Sequence, residues 1–191
     1  MIRRAVLWSS GLAALGLPAR GACDPVALRA PFEGRTAVAA GGAPDCSVAF
    51  WLDRRFGLAI EWRLPASAVG ADIGTRWTLV GDTLGWGVDL NASVGLTVPL
   101  IVPGVGVNIT PSVVGRWRDE HFLVATSVAI PSIAQILPSP DLRLPVMFEL
   151  WLGGHYGRFR GALHGGVGST WMPGLSWSGA FQATALVGVD L

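Results

Sequence analysis

Large apolar residues alternate with small or polar ones along most of the chain after residue 54. The clearest stretch is 84–98, in which Leu, Trp, Val, Leu, Ala, Val, Leu and Val occupy every second position. A period of two residues predicts a β-strand, because successive side chains of a strand point to opposite faces. The stretch is also longer than an average strand of a soluble protein.

Seven further stretches have this period, so the pattern predicts eight strands in all. They cover 55–64, 72–79, 105–118, 122–130, 142–152, 158–171 and 175–191. Charged residues within the strands fall on the row opposite the large apolar side chains, and that row otherwise holds mostly Gly, Ala, Ser, Thr and Asn. A soluble sandwich would turn a charge-rich row toward water. Apolar outside and small or polar inside is the pattern of a transmembrane β-barrel.

The predicted connections alternate in length. Those near 82–83, 119–120 and 156–157 are tight, whereas 65–71, 99–104 and 131–141 are longer. Outer-membrane barrels have short turns at the periplasmic rim and longer loops outside. We therefore expect an antiparallel up-and-down barrel whose amino terminus lies on the periplasmic side.

Aromatic side chains of the apolar rows are predicted to lie near the two ends of the strands. Rings at headgroup level form such belts in membrane barrels, although the same rings would also suit the core of a soluble barrel. The predicted belts consist of Phe56, Trp62, Trp86, Trp117, Phe122, Phe159, Trp171 and Trp177.

Charged side chains of the polar rows are predicted to project into the barrel interior. Buried charges are costly unless they are paired, so mutual pairing explains them more simply than a conduit or ligand site does. We expect Arg76 and Arg116 each to contact a carboxylate there. The predicted lumenal cluster consists of Glu61, Arg63, Arg76, Asp89, Arg116, Arg118, Glu149 and His164.

Composition narrows the class of protein. Hydrophobic residues make up 51% of the 191 residues and charged residues only 14%, which excludes a disordered chain. The formal net charge of +1 argues against nucleic-acid binding through bulk charge. With 26 Gly and 13 Pro the chain is poor material for a helical membrane bundle. All of its basic residues are Arg, which argues against a lysine-dependent active site.

The amino terminus has the layout of a secretory signal peptide over residues 1–21. A basic start precedes an uncharged apolar stretch and the small residues before Cys23. Residues 22–53 form an N-terminal segment in which Cys23 and Cys46 predict a disulfide, because the chain is exported. Lipidation of Cys23 is the alternative. Residues 54–191 form the barrel.

Residues 55–191 resemble the small, eight-stranded outer-membrane β-barrel proteins of Gram-negative bacteria, of the OmpA/OmpX type. The last strand, 184–191, is similar to the terminal strand that the barrel-insertion machinery of that family reads, but it ends in Leu191 instead of an aromatic residue and carries Leu186 where Gly is common. The resemblance implies an outer-membrane location, with membrane lipids and that machinery as partners, and it implies no cofactor.

Two other structures compete with the eight-stranded barrel. A membrane helix over 122–137 is conceivable, but Pro131 and the alternating β-branched residues disfavour it. Residues 35–40 and 46–52 are able to pair as two additional strands, giving ten. Otherwise this segment is a disulfide-closed piece that caps or enters the foot of the barrel.

The predicted function is that of an outer-membrane barrel with a structural, adhesive or small-channel role. One alternative is a secreted, lipocalin-like barrel with an apolar ligand inside. Another is a lipid A or phospholipid hydrolase that uses Glu149, His164 and Ser169, but the last two are five residues apart and therefore on opposite rows of one strand. The Cys and His residues show no metal-binding spacing.

Overall fold

The computed structural model describes residues 26–32, 35–43, 45–53, 55–63, 68–100, 104–137, 141–171 and 178–191. These residues contain a short helix, α1 (Val26–Arg29), and eleven strands. The strands are β1 (Thr36–Ala43), β2 (Asp45–Trp51), β3 (Phe56–Arg63), β4 (Ala68–Gly81), β5 (Gly85–Pro99), β6 (Val105–Arg118), β7 (Phe122–Ala129), β8 (Ser132–Leu137), β9 (Asp141–Tyr156), β10 (Phe159–Trp171) and β11 (Ser178–Asp190).

The strands form one closed antiparallel sheet. Every strand except β7 pairs with the next strand in the chain, and β11 pairs with β1, which closes the barrel. β7 and β8 share one position between β6 and β9, so the wall has ten positions. The prediction of an all-β antiparallel barrel is confirmed. The prediction of eight strands is wrong, and the ten-stranded alternative is confirmed.

The two additional strands come from the N-terminal segment. β1 and β2 pair from Thr36 opposite Trp51 to Gly41 opposite Cys46. The apolar period of β1 is weak, because it consists of Thr, Val and small Ala and Gly residues. A strand of Ala and Gly residues has almost the same hydropathy on both faces, which is why the period predicts only eight strands.

The break between β7 and β8 lies at Ile130 and Pro131. Proline has no main-chain N–H to donate to a sheet, so the pairing pattern is interrupted there. The N–H of Ile130 still donates to the carbonyl of Pro111 on β6, at 3.0 Å. Residues 122–137 are thus strands on both sides of the proline. Within the described ranges, no helix has the length and apolarity needed to cross a membrane.

The two faces of the wall differ as the period predicts. Side chains of β7 alternate strictly between exposed and buried from Phe122 to Ala129. On β5, Asp89, Asn91 and Ser93 are buried inside while Val94 and Leu96 are exposed on the outer face. We call the end of the barrel at which β1 begins and β11 ends, marked by Thr36 and Asp190, the terminal rim.

Candidate functional site

Residues 26–32 lie inside the barrel, and we call them the plug. Ala27 and Ala30 have no exposed area, and Arg29 retains 2%. The plug consists of α1 and three further residues. Pro31 disfavours a helical conformation at Ala30, which explains why α1 ends at Arg29. The barrel is therefore filled by its own chain.

The width of the barrel accounts for this filling. An eight-stranded barrel is just wide enough for its own side chains, and the diameter grows with the number of strands. Ten positions leave room beyond what the inward side chains occupy. Much of the inner wall beside the plug is also small, as at Ala49 and Ala59, which are buried. The plug occupies the space that results.

Two glycines provide a socket for Leu28 of the plug. Gly57 on β3 and Gly74 on β4 lie directly opposite each other. A Cβ atom at Gly57 would lie 2.9 Å from Cδ2 of Leu28, and one at Gly74 would lie 3.2 Å from both of its Cδ atoms. Larger residues at these two positions would collide with the plug. The wall is thus shaped to this side chain.

Two arginines of the wall hold the plug by its main chain. Arg76 donates Nη2 to the carbonyl of Ala30 at 2.6 Å and Nη1 to the carbonyl of Phe32. Arg118 donates to the carbonyl of Pro31. The guanidinium carbon of Arg76 also lies 4.4 Å from the ring centre of the buried Trp51, a cation–π arrangement. The wall therefore binds three successive main-chain carbonyls of the plug, and these contacts do not depend on the side chains of those residues.

A buried ion pair connects the plug to β9. Nη2 of Arg29 lies 2.7 Å from Oε1 of Glu149, whose side chain is fully buried. Ser127 donates to Oε2 of Glu149 at 2.5 Å, and Nε2 of His164 lies 3.4 Å from Oε1. Trp151 donates to Ser127 at 3.2 Å. Glu149 is thus the centre of a polar network that includes the plug.

A second ion pair lies closer to the terminal rim and does not involve the plug. Nε of Arg116 lies 2.8 Å from Oδ2 of Asp89, and Thr78 donates to Oδ1 of the same carboxylate at 2.9 Å. Arg116 also donates to the carbonyl of Asp82. The expected contact of Arg116 with a carboxylate is present. Arg76 donates Nε to the amide oxygen of Asn91 at 3.1 Å, and its contact with a carboxylate stays a prediction.

Uncharged polar side chains line the inner face of β5 and β6, and we call this set the polar lane. It contains Asn91, Ser93, Thr97, Asn108, Thr110 and Ser112, all buried. Asn108 donates to Thr97 at 2.7 Å. Within the described part of the chain, Nδ2 of Asn91, Oγ of Ser93, Oδ1 of Asn108 and Oγ of Ser112 have no hydrogen-bond partner. Buried polar atoms normally have one, often an ordered water.

Six of the predicted lumenal residues are buried in the interior: Arg76, Asp89, Arg116, Arg118, Glu149 and His164. Glu61 and Arg63 belong to β3, but their side chains lie outside the described residues. Ser169 is exposed on the outer face while His164 is buried inside, so these two side chains point to opposite sides of the wall.

Sequence reasoning missed Arg29, Ser127 and Trp151 as members of the interior network. Arg29 is the only charge in the seven residues of the plug, and a lone charge in an apolar stretch is the one signal that could have drawn attention to it. Ser127 and Trp151 carry no such signal. Their role depends on the register that places Ser127 opposite Glu149.

The predicted aromatic belts are described in part. Phe56, Trp86, Phe122 and Phe159 are exposed near the terminal rim, with Trp86 at 75%. Trp117 and Trp171 are half-buried. The side chain of Trp62 and the whole of Trp177 lie outside the described residues.

The predicted disulfide is not tested by the structure. Cys46 is half-buried on β2, and Cys23 lies outside the described residues, as does the predicted signal peptide.

The fold and interior define the class to which the chain belongs, a closed antiparallel β-barrel with a filled interior. No model of a known protein family matches the chain. No curated protein and no solved structure matches it either. The function is therefore inferred from the barrel itself.

Proposed function

We propose that the protein is an integral outer-membrane β-barrel that the N-terminal signal peptide directs to export. The observation that carries this proposal is the outer face of the wall. Ile60, Ile73, Ile109 and Phe148 are between 48% and 62% exposed at mid-height on four different strands. Soluble monomers rarely expose continuous apolar patches of more than a few hundred Å². A membrane supplies the apolar surroundings that these side chains need.

The interior supports the same proposal. A lipocalin-like barrel needs an apolar inner wall for its ligand and a charged outer wall for water. Here the ion pairs of Arg29 with Glu149 and of Arg116 with Asp89 are inside. The segment that fills the interior belongs to the chain itself. This arrangement favours the membrane barrel and, with the plug in place, a structural role in the membrane.

Fractionation of cells that express the full chain tests the proposal. We expect the protein in the detergent-extracted outer membrane, with a faster-migrating band in unheated gel samples, because closed membrane barrels resist the detergent until they are boiled. A soluble periplasmic pool that does not float with vesicles would contradict the proposal. Amino-terminal sequencing of the same material checks cleavage near residue 21.

A further inference from the structure

The plug contributes nothing to the pairing of the wall. The sheet closes through continuous strand pairing, including the eight pairs between β1 and β11. Among the described residues, the polar contacts between the plug and the wall include the ion pair of Arg29, the carbonyl contacts of Arg76 and Arg118, and a hydrogen bond from the N–H of Ala27 to Oγ of Ser47 at 3.3 Å. The plug can therefore leave without breaking a strand pair.

The wall that would remain has the chemistry of a hydrophilic passage. The polar lane presents amides and hydroxyls, four of whose polar atoms lack a partner among the described residues. These groups are able to hydrogen-bond a hydrated solute but offer it no counter-charge. Arg116 and Asp89 are paired with each other. Glu149, Arg76 and Arg118 now bind the plug, and they would face the vacated space once it has left. The interior without the plug would thus offer a small hydrophilic solute both uncharged hydrogen-bonding groups and charges of either sign.

We propose that the plug is a displaceable stopper, and that the barrel without it conducts small hydrophilic solutes such as short polyols along the polar lane. This inference rests on the proposed membrane location. The vacated space sets the upper size, because a helix with its side chains is about 10–12 Å across. Solutes wider than the plug would not pass.

A liposome-swelling assay with glycerol as the solute tests the inference. The refolded mature chain with Cys23→Ser/Cys46→Ser, which removes the predicted disulfide at the other end of the plug, is compared with the same chain carrying Leu28→Ala/Arg29→Met. The second pair of substitutions empties the glycine socket and removes the ion pair but keeps the length of the chain. Loss of a buried ion-pair partner shifts the equilibrium between the seated and the displaced plug by at least about tenfold. We expect the swelling rate of the variant to rise by a similar factor, with the unheated gel band unchanged.

A reversible lock provides the control within one protein. The N–H of Ala27 lies 3.3 Å from Oγ of Ser47, so Ala27→Cys/Ser47→Cys is the pair chosen to link the plug to the wall. It is added to the loosened variant in a background with Cys23→Ser and Cys46→Ser. We expect slow swelling when this protein is oxidised and fast swelling after reduction. Adding Ser93→Val and Asn108→Leu to the loosened variant should slow glycerol, because they remove hydrogen-bonding groups of the polar lane.

The outcomes separate the two proposals. If the loosened and reduced proteins insert into vesicles and remain as impermeable as the native chain, the stopper is wrong and the membrane barrel stands. A swelling rate that does not change with the substitutions Ser93→Val and Asn108→Leu would contradict the polar lane as the path of the solute. If none of the proteins floats with vesicles, the proposed membrane location is wrong.

Discussion

Arg29 and Glu149 lie 120 residues apart in the chain and meet inside the barrel, 2.7 Å apart. The first belongs to the plug and the second to β9. Both side chains are almost completely excluded from solvent. This contact joins the plug to the wall of the barrel.

Removing either partner of this pair should destabilise the protein strongly. A charge left buried without its partner costs about 3–5 kcal/mol, so we expect Arg29→Met and Glu149→Gln each to lower the free energy of unfolding by about that amount. The double variant should lose less than the sum, because neither charge is then left behind. Urea unfolding in detergent micelles measures all three.

The matched control is the pair of Arg160 and Asp190 near the terminal rim. Its atoms are 2.6 Å apart, but Asp190 is 31% exposed. Partly solvated pairs contribute about 0–1 kcal/mol, so Arg160→Met should have a small effect. Equal losses at the two sites would contradict the importance of burial.

The glycine socket predicts a size-dependent effect. Gly74→Val places two methyl groups against Leu28, and such overpacking costs about 1–3 kcal/mol. Leu28→Ala in the same chain should restore part of the loss. Gly165→Val on β10 is the control, because a Cβ there meets no atom within 4 Å. Unfolding midpoints that do not distinguish Gly74 from Gly165 would show that the socket is not tight.

The outer face predicts that the cost of an outward-facing charge depends on its depth in the membrane. In a membrane barrel an arginine on the lipid side costs about 2–4 kcal/mol at the midplane and about 0–1 kcal/mol near the interfaces. Ile73 lies near the middle of β4 and Val80 near its end at the terminal rim, and both are exposed. We therefore expect Ile73→Arg to destabilise the barrel in vesicles far more than Val80→Arg. Equal, mild effects would favour a soluble barrel.

Two turns at the terminal rim predict that the free energy of unfolding falls at acid pH. Oδ1 of Asp53 accepts hydrogen bonds from the N–H groups of Arg55 and Phe56, and Oδ1 of Asp119 does so from His121 and Phe122. These bonds lower the pKa of both carboxyls below that of an ordinary aspartate. A lowered folded-state pKa stabilises the fold above the unfolded value, and this contribution disappears as pH falls through the folded value.

We therefore expect the loss of stability below pH 3.8 to be shallower in Asp53→Asn/Asp119→Asn than in the native chain. Asparagine keeps an acceptor for the turn but does not titrate. Unfolding free energies measured across this acid range give the two slopes. Identical slopes would show that other carboxyls cause the loss of stability at acid pH.

The disulfide between Cys23 and Cys46 stays a prediction that the position of the plug makes sharper. Ala27 is bonded to Ser47, which is the neighbour of Cys46. Position 23 is four residues from Ala27, a reach of at most about 14 Å, so the length of the chain permits the predicted bridge to Cys46. We expect a mobility difference between reduced and non-reduced protein and a cystine-linked peptide in mass spectrometry. A free Cys46 thiol in exported protein, with Cys23→Ser as reference, would contradict it.

Much of the wall could be predicted because the alternation of neighbouring residues is enough to indicate a strand. A slip of one residue would move Asp89 and Asn91 to the outer face, so the period of β5 determines both the strand and its orientation. β1 was predicted only as an alternative, over residues 35–40, because its Ala and Gly residues do not distinguish the two faces. The local pattern therefore succeeds where inward and outward residues differ in chemistry.

The plug could not be predicted in the same way. Seven residues with a proline have no usable period, and their partners Arg76, Arg118 and Glu149 are distant in the chain. The number of strands also had to be known first, since only a barrel wider than eight strands has room for the plug. An interior contact of this kind depends on the closed fold.

The plug is joined to the wall by a very short tether. Phe32 precedes Thr36, the first residue of β1, by four positions, which allows a reach of at most about 14 Å. A ligand on so short a link has an effective concentration in the millimolar range or above. A displaced plug would therefore return quickly and independently of protein concentration. Openings would be brief, and a free peptide of the same sequence would compete only at millimolar concentrations.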